Sequence, residues 1–194
     1  MSIHKLSEAY ILFDKANAQD PNTEEVNGSV MPKELIYGQR MSQVLDVFEP
    51  NASEPLKLAA RSQHICRWEI PRKSYPMNRV GYLQWRQELK KFHAAKASEI
   101  LEQLEYPKDS IDRVAFLLQK KKLKKDNDTQ TLEDVVCLVF LKYYYEEFLT
   151  KHPDEKVIDI LQKTWHKMSV KGHKAAFKLS YSKKALDLIQ QAVA

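Results

Sequence analysis

Residues 135–141 read VVCLVFL, seven apolar side chains in succession within a segment of helical character from Thr131 to about Thr150. A helix that is apolar on all sides has no face to offer water, so it is predicted to lie at the centre with other helices around it. The flanking sequence supplies those helices. Leu6, Ala9, Tyr10 and Phe13 recur at helical spacing between about Lys5 and Ala18. Pro32 suits the first turn of KELIYGQRMSQVLDVF. Ser53 is predicted to cap a helix running from near Pro55 to about Trp68, and Ser110 to cap IDRVAFLLQKKK. Between these lies a long helix from about Gly81 to Glu105. Shorter amphipathic helices around KVIDILQKTWHKMS, HKAAFKL and KKALDLIQQAV complete the chain. The residues from QDPN to Met31 read as a polar loop, and EIPRKSYPMNR as an extended loop held by two prolines. With only four glycines in 194 residues, a barrel or a doubly wound sheet is disfavoured. The expectation is one all-α domain over residues 1–194, a helical bundle built around the helix near 131–150.

Charge and cysteine usage narrow the classes of function. The net charge of +5 is carried by the stretch from Lys151 to Ala194, which holds nine lysines against four acids. Lysines scattered along helices form a solvated face more often than a nucleic-acid surface, so RNA binding is a third reading and not the favoured one. KKKLKK, Lys120 to Lys125, ends a helix, where cations suit the negative end of the macrodipole. Cys66 and Cys137 sit in apolar helical patterns without metal-ligand spacing, which points to a reduced, cytoplasmic protein. No apolar run approaches the length of a membrane span, and the first residues lack the apolar region of a signal peptide.

Five of the seven arginines fall between residues 61 and 86: Arg61, Arg67, Arg72, Arg79 and Arg86. Elsewhere the chain uses lysine for positive charge, so the choice is selective. A guanidinium offers a planar fork matched to carboxylate or phosphate and stacks on aromatic rings. The cluster therefore reads either as a network tying the proline loop to helix ends or as a pocket for a small anionic ligand. In the second case Arg67 and Arg72, with Arg40, hold the anion, and Trp68, Tyr75 or Trp85 stack on its body. His64 shares a helix face with Ala60, Arg61 and Trp68, and His93 lies in the stripe Trp85, Leu89, His93, Ala97. Two titratable rings facing one core from two helices are candidates for general acid–base chemistry or for metal ligation. Asp134, near the start of the buried helix, is the third candidate, able to orient a histidine; it also fits a capping box with Thr131. Whether a metal or cofactor binds, and the oligomeric state, are not legible.

The segments DKANAQDPN, YGQRM, LAARSQHICRWEIPRKSYPM, GYLQWRQELKKFHAAKASEIL, QTLEDVVCLVFLKYYYEEF and KTWHKMS together resemble the domain-of-unknown-function family numbered four-two-zero-two over nearly the whole chain. A weaker resemblance is to HD-domain phosphohydrolases, helical enzymes whose metal is held by a His…His-Asp…Asp series. YGQRMSQVL resembles their first helix, with Tyr37 at the histidine position. LKLAARSQHICRW resembles the His-Asp helix, with His64 retained and Ile65 replacing aspartate. FHAAKASEIL places His93 at an auxiliary position, and Phe140 stands near the final aspartate. The resemblance implies a degenerate HD-like hydrolase acting on a small anionic or phosphorylated substrate, or a binding module that has lost the chemistry.

Overall fold

The computed structural model describes residues 3–194. The chain opens with α1 (Ile3–Asn17), followed by strands β1 (Thr23–Val26) and β2 (Ser29–Pro32). Three further helices carry the next stretch: α2 (Lys33–Phe48), α3 (Glu54–Arg61) and α4 (Arg79–Gln103), with single 3-10 turns at Arg67–Glu69 and Arg72–Ser74 between the last two. The second half holds α5 (Lys108–Leu118), α6 (Asn127–Val139), α7 (Tyr145–Lys151), α8 (Asp154–Lys167), α9 (Val170–Ala176) and α10 (Lys183–Val193). The fold is all-α among the described residues except for the one antiparallel hairpin. No helix among them is long and apolar enough to cross a membrane.

The centre is where the VVCLVFL run predicts it. Leu132, Val135, Leu138, Val139 and Leu141 are buried in one contiguous core, and α6 packs against α2, α3, α5, α8 and α9. The run is not buried on every side, since Val136 and Phe140 are partly exposed. The helix also departs from an unbroken course. Residues Phe140–Tyr144 wind as one π-helical turn before α7 continues, a distortion that is frequent at functional sites.

Several boundaries move from their predicted places. Asp126, not Thr131, caps α6: its carboxylate accepts from the Thr129 amide at 2.9 Å, so Thr131 and Asp134 lie inside the helix. Pro107 precedes α5, and Ser110 sits in its first turn. The helix from Ser53 stops at Arg61 instead of Trp68. There Cys66 takes a left-handed conformation (φ 52°), and its amide donates to the buried Asn17 side chain at 2.9 Å. The loop predicted before Met31 contains the hairpin. Asn27 and Gly28 both have positive φ, which gives the two-residue turn that Asn-Gly favours, with Val26 opposite Ser29.

Part of the arginine cluster is structural. Arg61 forks onto Asp14, with its Nε donating at 2.8 Å and Nη2 at 2.5 Å, and so ties α3 to α1. Gly38 lets α2 cross α3 closely, because a Cβ there would stand 2.7 Å from the Arg61 carbonyl oxygen. Gly38→Ala is expected to lower the unfolding free energy by about 1–3 kcal/mol, the cost of overpacking. A urea titration checks this; an unchanged midpoint would mean that the two helices separate freely.

Candidate functional site

Glu34, Tyr37 and Arg40 project from one face of α2, at offsets of three, toward the turn that follows α3. They line a cavity of about 650 Å³ together with the hairpin residues Glu24 and Glu25, His64, Arg67 and the tyrosines Tyr143 and Tyr144. Arg40 is committed on one side: its Nη1 donates to Glu24 Oε1 at 2.5 Å and to the Tyr144 hydroxyl at 2.9 Å. The guanidinium also lies 4.6 Å from the Tyr143 ring centroid. Both tyrosines come from the π-helical turn, so the two consecutive rings share one guanidinium.

His64 sits where this cavity meets a second, tighter one. Its ring stacks on Tyr37 with centroids 4.0 Å apart and planes 10° from parallel, and its centroid lies 5.7 Å from that of His93 on α4. Glu34 Oε2 is 3.3 Å from His64 Nδ1. Arg67 Nη1 lies 2.8 Å from His64 Nε2 and 3.2 Å from the same Nδ1 that faces Glu34. Trp85 backs Arg67 at 4.9 Å, and its own indole N–H donates to the Ile70 carbonyl at 2.8 Å. The tighter niche, of about 20 Å³, is walled by Gln63, His64, Arg67, Arg86, Leu89, Lys90, His93 and Lys120.

The niche is cationic and its polar groups are incompletely satisfied. Among the described residues, neither Arg86 nor Lys90 makes a side-chain hydrogen bond or ion pair. His93 is 3% exposed and Gln63 5%, yet His93 Nε2 and Gln63 Oε1 have no hydrogen-bond partner. Burial, and then the guanidinium of Arg67, hold the His93 imidazole down at about 3 and push His64 well below its ordinary value. Both rings are therefore neutral at pH 7. Glu34 moves the other way. Burial outweighs the attraction of Arg67 and raises its carboxyl to about 7. Glu133 on α6 is held below its ordinary value despite burial, because Lys120 donates to it.

With this geometry in view, comparison with known proteins supplies one match. The family model described as Domain of unknown function (DUF4202) matches residues 7–189 of the 194. The chain belongs to the DUF4202 family. No curated protein and no solved structure matches it.

Within this DUF4202 chain the candidates named from sequence divide. His64, His93, Arg67 and Arg40 are brought together around the two cavities. Asp134 is not. Its carboxylate accepts from the Ser169 amide at 2.7 Å and the Ser169 hydroxyl at 2.5 Å, fixing the start of α9 on α6. Arg72 is spent on the proline loop, donating to the carbonyls of Tyr75, Pro76 and Asn78 at 3.0, 2.7 and 3.2 Å. Tyr75 and Trp68 line neither cavity, and Trp68 packs against the core. Trp85 lines neither and serves as the platform for Arg67.

Glu34, Lys90 and Lys120 are the contributors that sequence reasoning passes over. Glu34 lies three residues before Tyr37, a spacing that alone would have placed it on the same face. Lys120 reads as a helix-end lysine, and nothing in KKKLKK reveals that its backbone turns left-handed (φ 54°). An HD metal centre does not fit. Tyr37 stacks on His64, Ile65 is fully buried and Phe140 packs on the core, so none of the departing positions supplies imidazole or carboxylate. Among the described residues no three His, Cys, Asp or Glu side chains are grouped to hold a metal ion. The guanidinium and ammonium groups around the histidines would moreover repel a cation.

Proposed function

We propose that the DUF4202 chain binds a small phosphorylated substrate, with one terminal oxygen in the niche of His64, Arg67, Arg86, His93 and Lys120 and its body in the larger cavity. Glu34 is then the group that transfers a proton. The single observation behind the proposal is the buried His93 Nε2, left without a partner beside two unpaired cations. Buried polar groups are almost always hydrogen-bonded, and an anion's oxygen supplies the partner at His93 Nε2 while neutralising the cations. The niche is water-sized, so it admits an oxygen and keeps the rest of the ligand on the Glu34 side of His64 and Arg67.

The chemistry that follows is hydrolytic. A neutral Glu34 gives its proton to the leaving oxygen as the ester P–O bond breaks, and a water oxygen forms the new bond to phosphorus. The proton that the water loses stays on the released phosphate, because Arg67 Nη1 engages both ring nitrogens of His64, at 3.2 and 2.8 Å, and leaves that ring no free lone pair to take it. The arginines and Lys120 stabilise the charge on the phosphoryl oxygens. The RNA reading has less behind it. Lys151, Lys163, Lys171, Lys183 and Lys184, five of the nine lysines of the last stretch, are ion-paired with acids on the chain itself.

Calorimetry with inorganic phosphate and a panel of phosphomonoesters, alongside phosphate-release assays, tests the proposal. Phosphate is expected to bind, and Arg86→Gln to weaken it about tenfold, the value of one charged hydrogen bond. Glu34→Gln should leave binding in place and remove turnover. Binding without turnover in the wild-type protein would leave a sensor and no enzyme. Phosphate affinity untouched by Arg86→Gln would end the reading.

A further inference from the structure

Toward the C-terminal end of α2, beyond the cavity that holds Arg40, a groove of about 480 Å³ runs between α2, α6 and α9. Its floor is apolar: Val44, Phe48 and Leu138 are buried there, with Ala175 and Leu179 beside them. Val47 stands on the rim and is 84% exposed. An isolated exposed valine needs no explanation, but one that continues an apolar floor does.

The rim is as one-sided in charge as the floor is in polarity. Lys142, Lys171, Lys174 and Lys178 line it, and no acid does. Lys171 reaches Glu49 at 2.7 Å and also lies over the Phe48 ring at 4.5 Å. Lys142 lies over the Tyr143 ring at 5.1 Å. Lys174 and Lys178 have no acidic partner among the described residues. Lys171, Lys174 and Lys178 follow one another at offsets of three and four along α9 and the turn after it, so their charges form a row on the groove's rim.

We infer that this groove docks an acidic amphipathic helix of a protein partner. Leucine-like side chains at i, i+3 and i+7 would cover Val44, Val47 and Leu138. Carboxylates on the neighbouring stripe would meet the lysine row. A row of cations one helical turn apart matches a ligand that repeats its negative charge at the same interval. A fatty acid carries one carboxylate and would satisfy one lysine, leaving the others unanswered. RNA would meet the lysines but gain nothing from an aliphatic floor.

The probe is a synthetic helical peptide of about four turns with leucines on one stripe and glutamates on the next, labelled for fluorescence anisotropy. It is compared with a scrambled peptide of the same composition, with dodecanoate and with phosphatidylserine vesicles. The amphipathic peptide is expected to bind, and Val47→Asp and the Lys174→Glu/Lys178→Glu pair each to weaken it about tenfold. Amide chemical-shift changes should concentrate on α2 and α9. These side chains are exposed, so the variants should keep the wild-type melting curve, which is measured in parallel. Equal binding of the scrambled peptide would reduce the groove to a non-specific basic surface. Loss of dodecanoate or vesicle binding on the same substitutions, without peptide binding, would make the occupant a lipid. Either outcome, or no binding of any probe, overturns the inference.

Discussion

Lys120→Ala lowers the unfolding free energy by about 3–5 kcal/mol, the expected cost of stranding a buried charge. The Lys120 side chain is 8% exposed and that of its partner, Glu133, 5%. In the wild-type protein the two cancel each other's desolvation, and the contact fastens the end of α5 to α6. Alanine leaves the carboxylate with neither water nor a counter-ion. The backbone makes the position more telling. Lys120 occupies the left-handed site after α5, and the amides of Lys120 and Lys121 bond back to Leu117 and Phe116 at 2.9 and 3.2 Å. Glycine is the usual residue in such a helix-ending motif, and a lysine there carries a strain of about 1 kcal/mol. The chain accepts that strain in exchange for an ammonium aimed inward at Glu133 and the niche. Lys120→Gly relieves the backbone and should therefore be less damaging than alanine. The double substitution Lys120→Met/Glu133→Leu replaces the pair with apolar groups and should recover most of the stability while losing phosphate affinity. Urea titrations of the four proteins, with calorimetry on the folded ones, separate the two roles. A loss below about 1 kcal/mol for Lys120→Ala would mean that the pair is solvated and holds nothing together.

The VVCLVFL run was enough to place the central helix, because burial on most sides leaves a signature in composition alone. The long α4 and its inward histidine followed from period 3.6. Boundaries set by competing caps were less legible: Asp126 and Thr131 both begin plausible helices, and only packing chooses between them. The hairpin's strands are four residues each and mostly exposed, so their alternation carries little signal beyond Asn27-Gly28. In the site, a selective concentration of arginine marked the region but not the duty of each residue. Arg61 and Arg72 turn to structural partners while Arg67 and Arg86 face the niche. What separates them is the left-handed turn at Cys66, which redirects the chain between Arg61 and Arg67. The non-local pairing of Glu34 with His64, thirty residues apart, could be inferred only once α2 and α3 were known to cross.

Stability should fall as the solution is acidified below pH 6.5, well before most carboxylates titrate. His64 and His93 have folded-state values below those of the unfolded chain, so unfolding takes up protons that the native protein excludes. Their contribution is complete above pH 6.5 and is lost as pH falls. For His93, whose folded value is about 3, the loss amounts to about 4–5 kcal/mol across the window from 6.5 to 3. Every charged group that faces the two rings from α4 and the segments packed on it, Arg67, Arg86 and Lys120, pushes in the same direction. Glu34 pushes against them. Its carboxyl is raised to about 7, so its contribution is complete below the unfolded value near 4.5 and is lost as pH rises through 7. Between 4.5 and 6.5 the two histidines are thus offset by one carboxyl, and the net dependence corresponds to about one proton. Below 4.5 that compensation ends and the curve steepens. Glu34→Gln should steepen the fall between 6.5 and 4.5 and remove the decline between 6.5 and about 7. His93→Gln should flatten the acid limb by about one proton while keeping a hydrogen-bonding group near the Nε2 position. Urea midpoints measured from pH 3.5 to 8 read all three slopes. A His93→Gln profile parallel to wild type would mean that the imidazole takes up its proton at the same pH in the native and the unfolded protein, so that burial beside Arg67 and Lys120 does not hold it neutral.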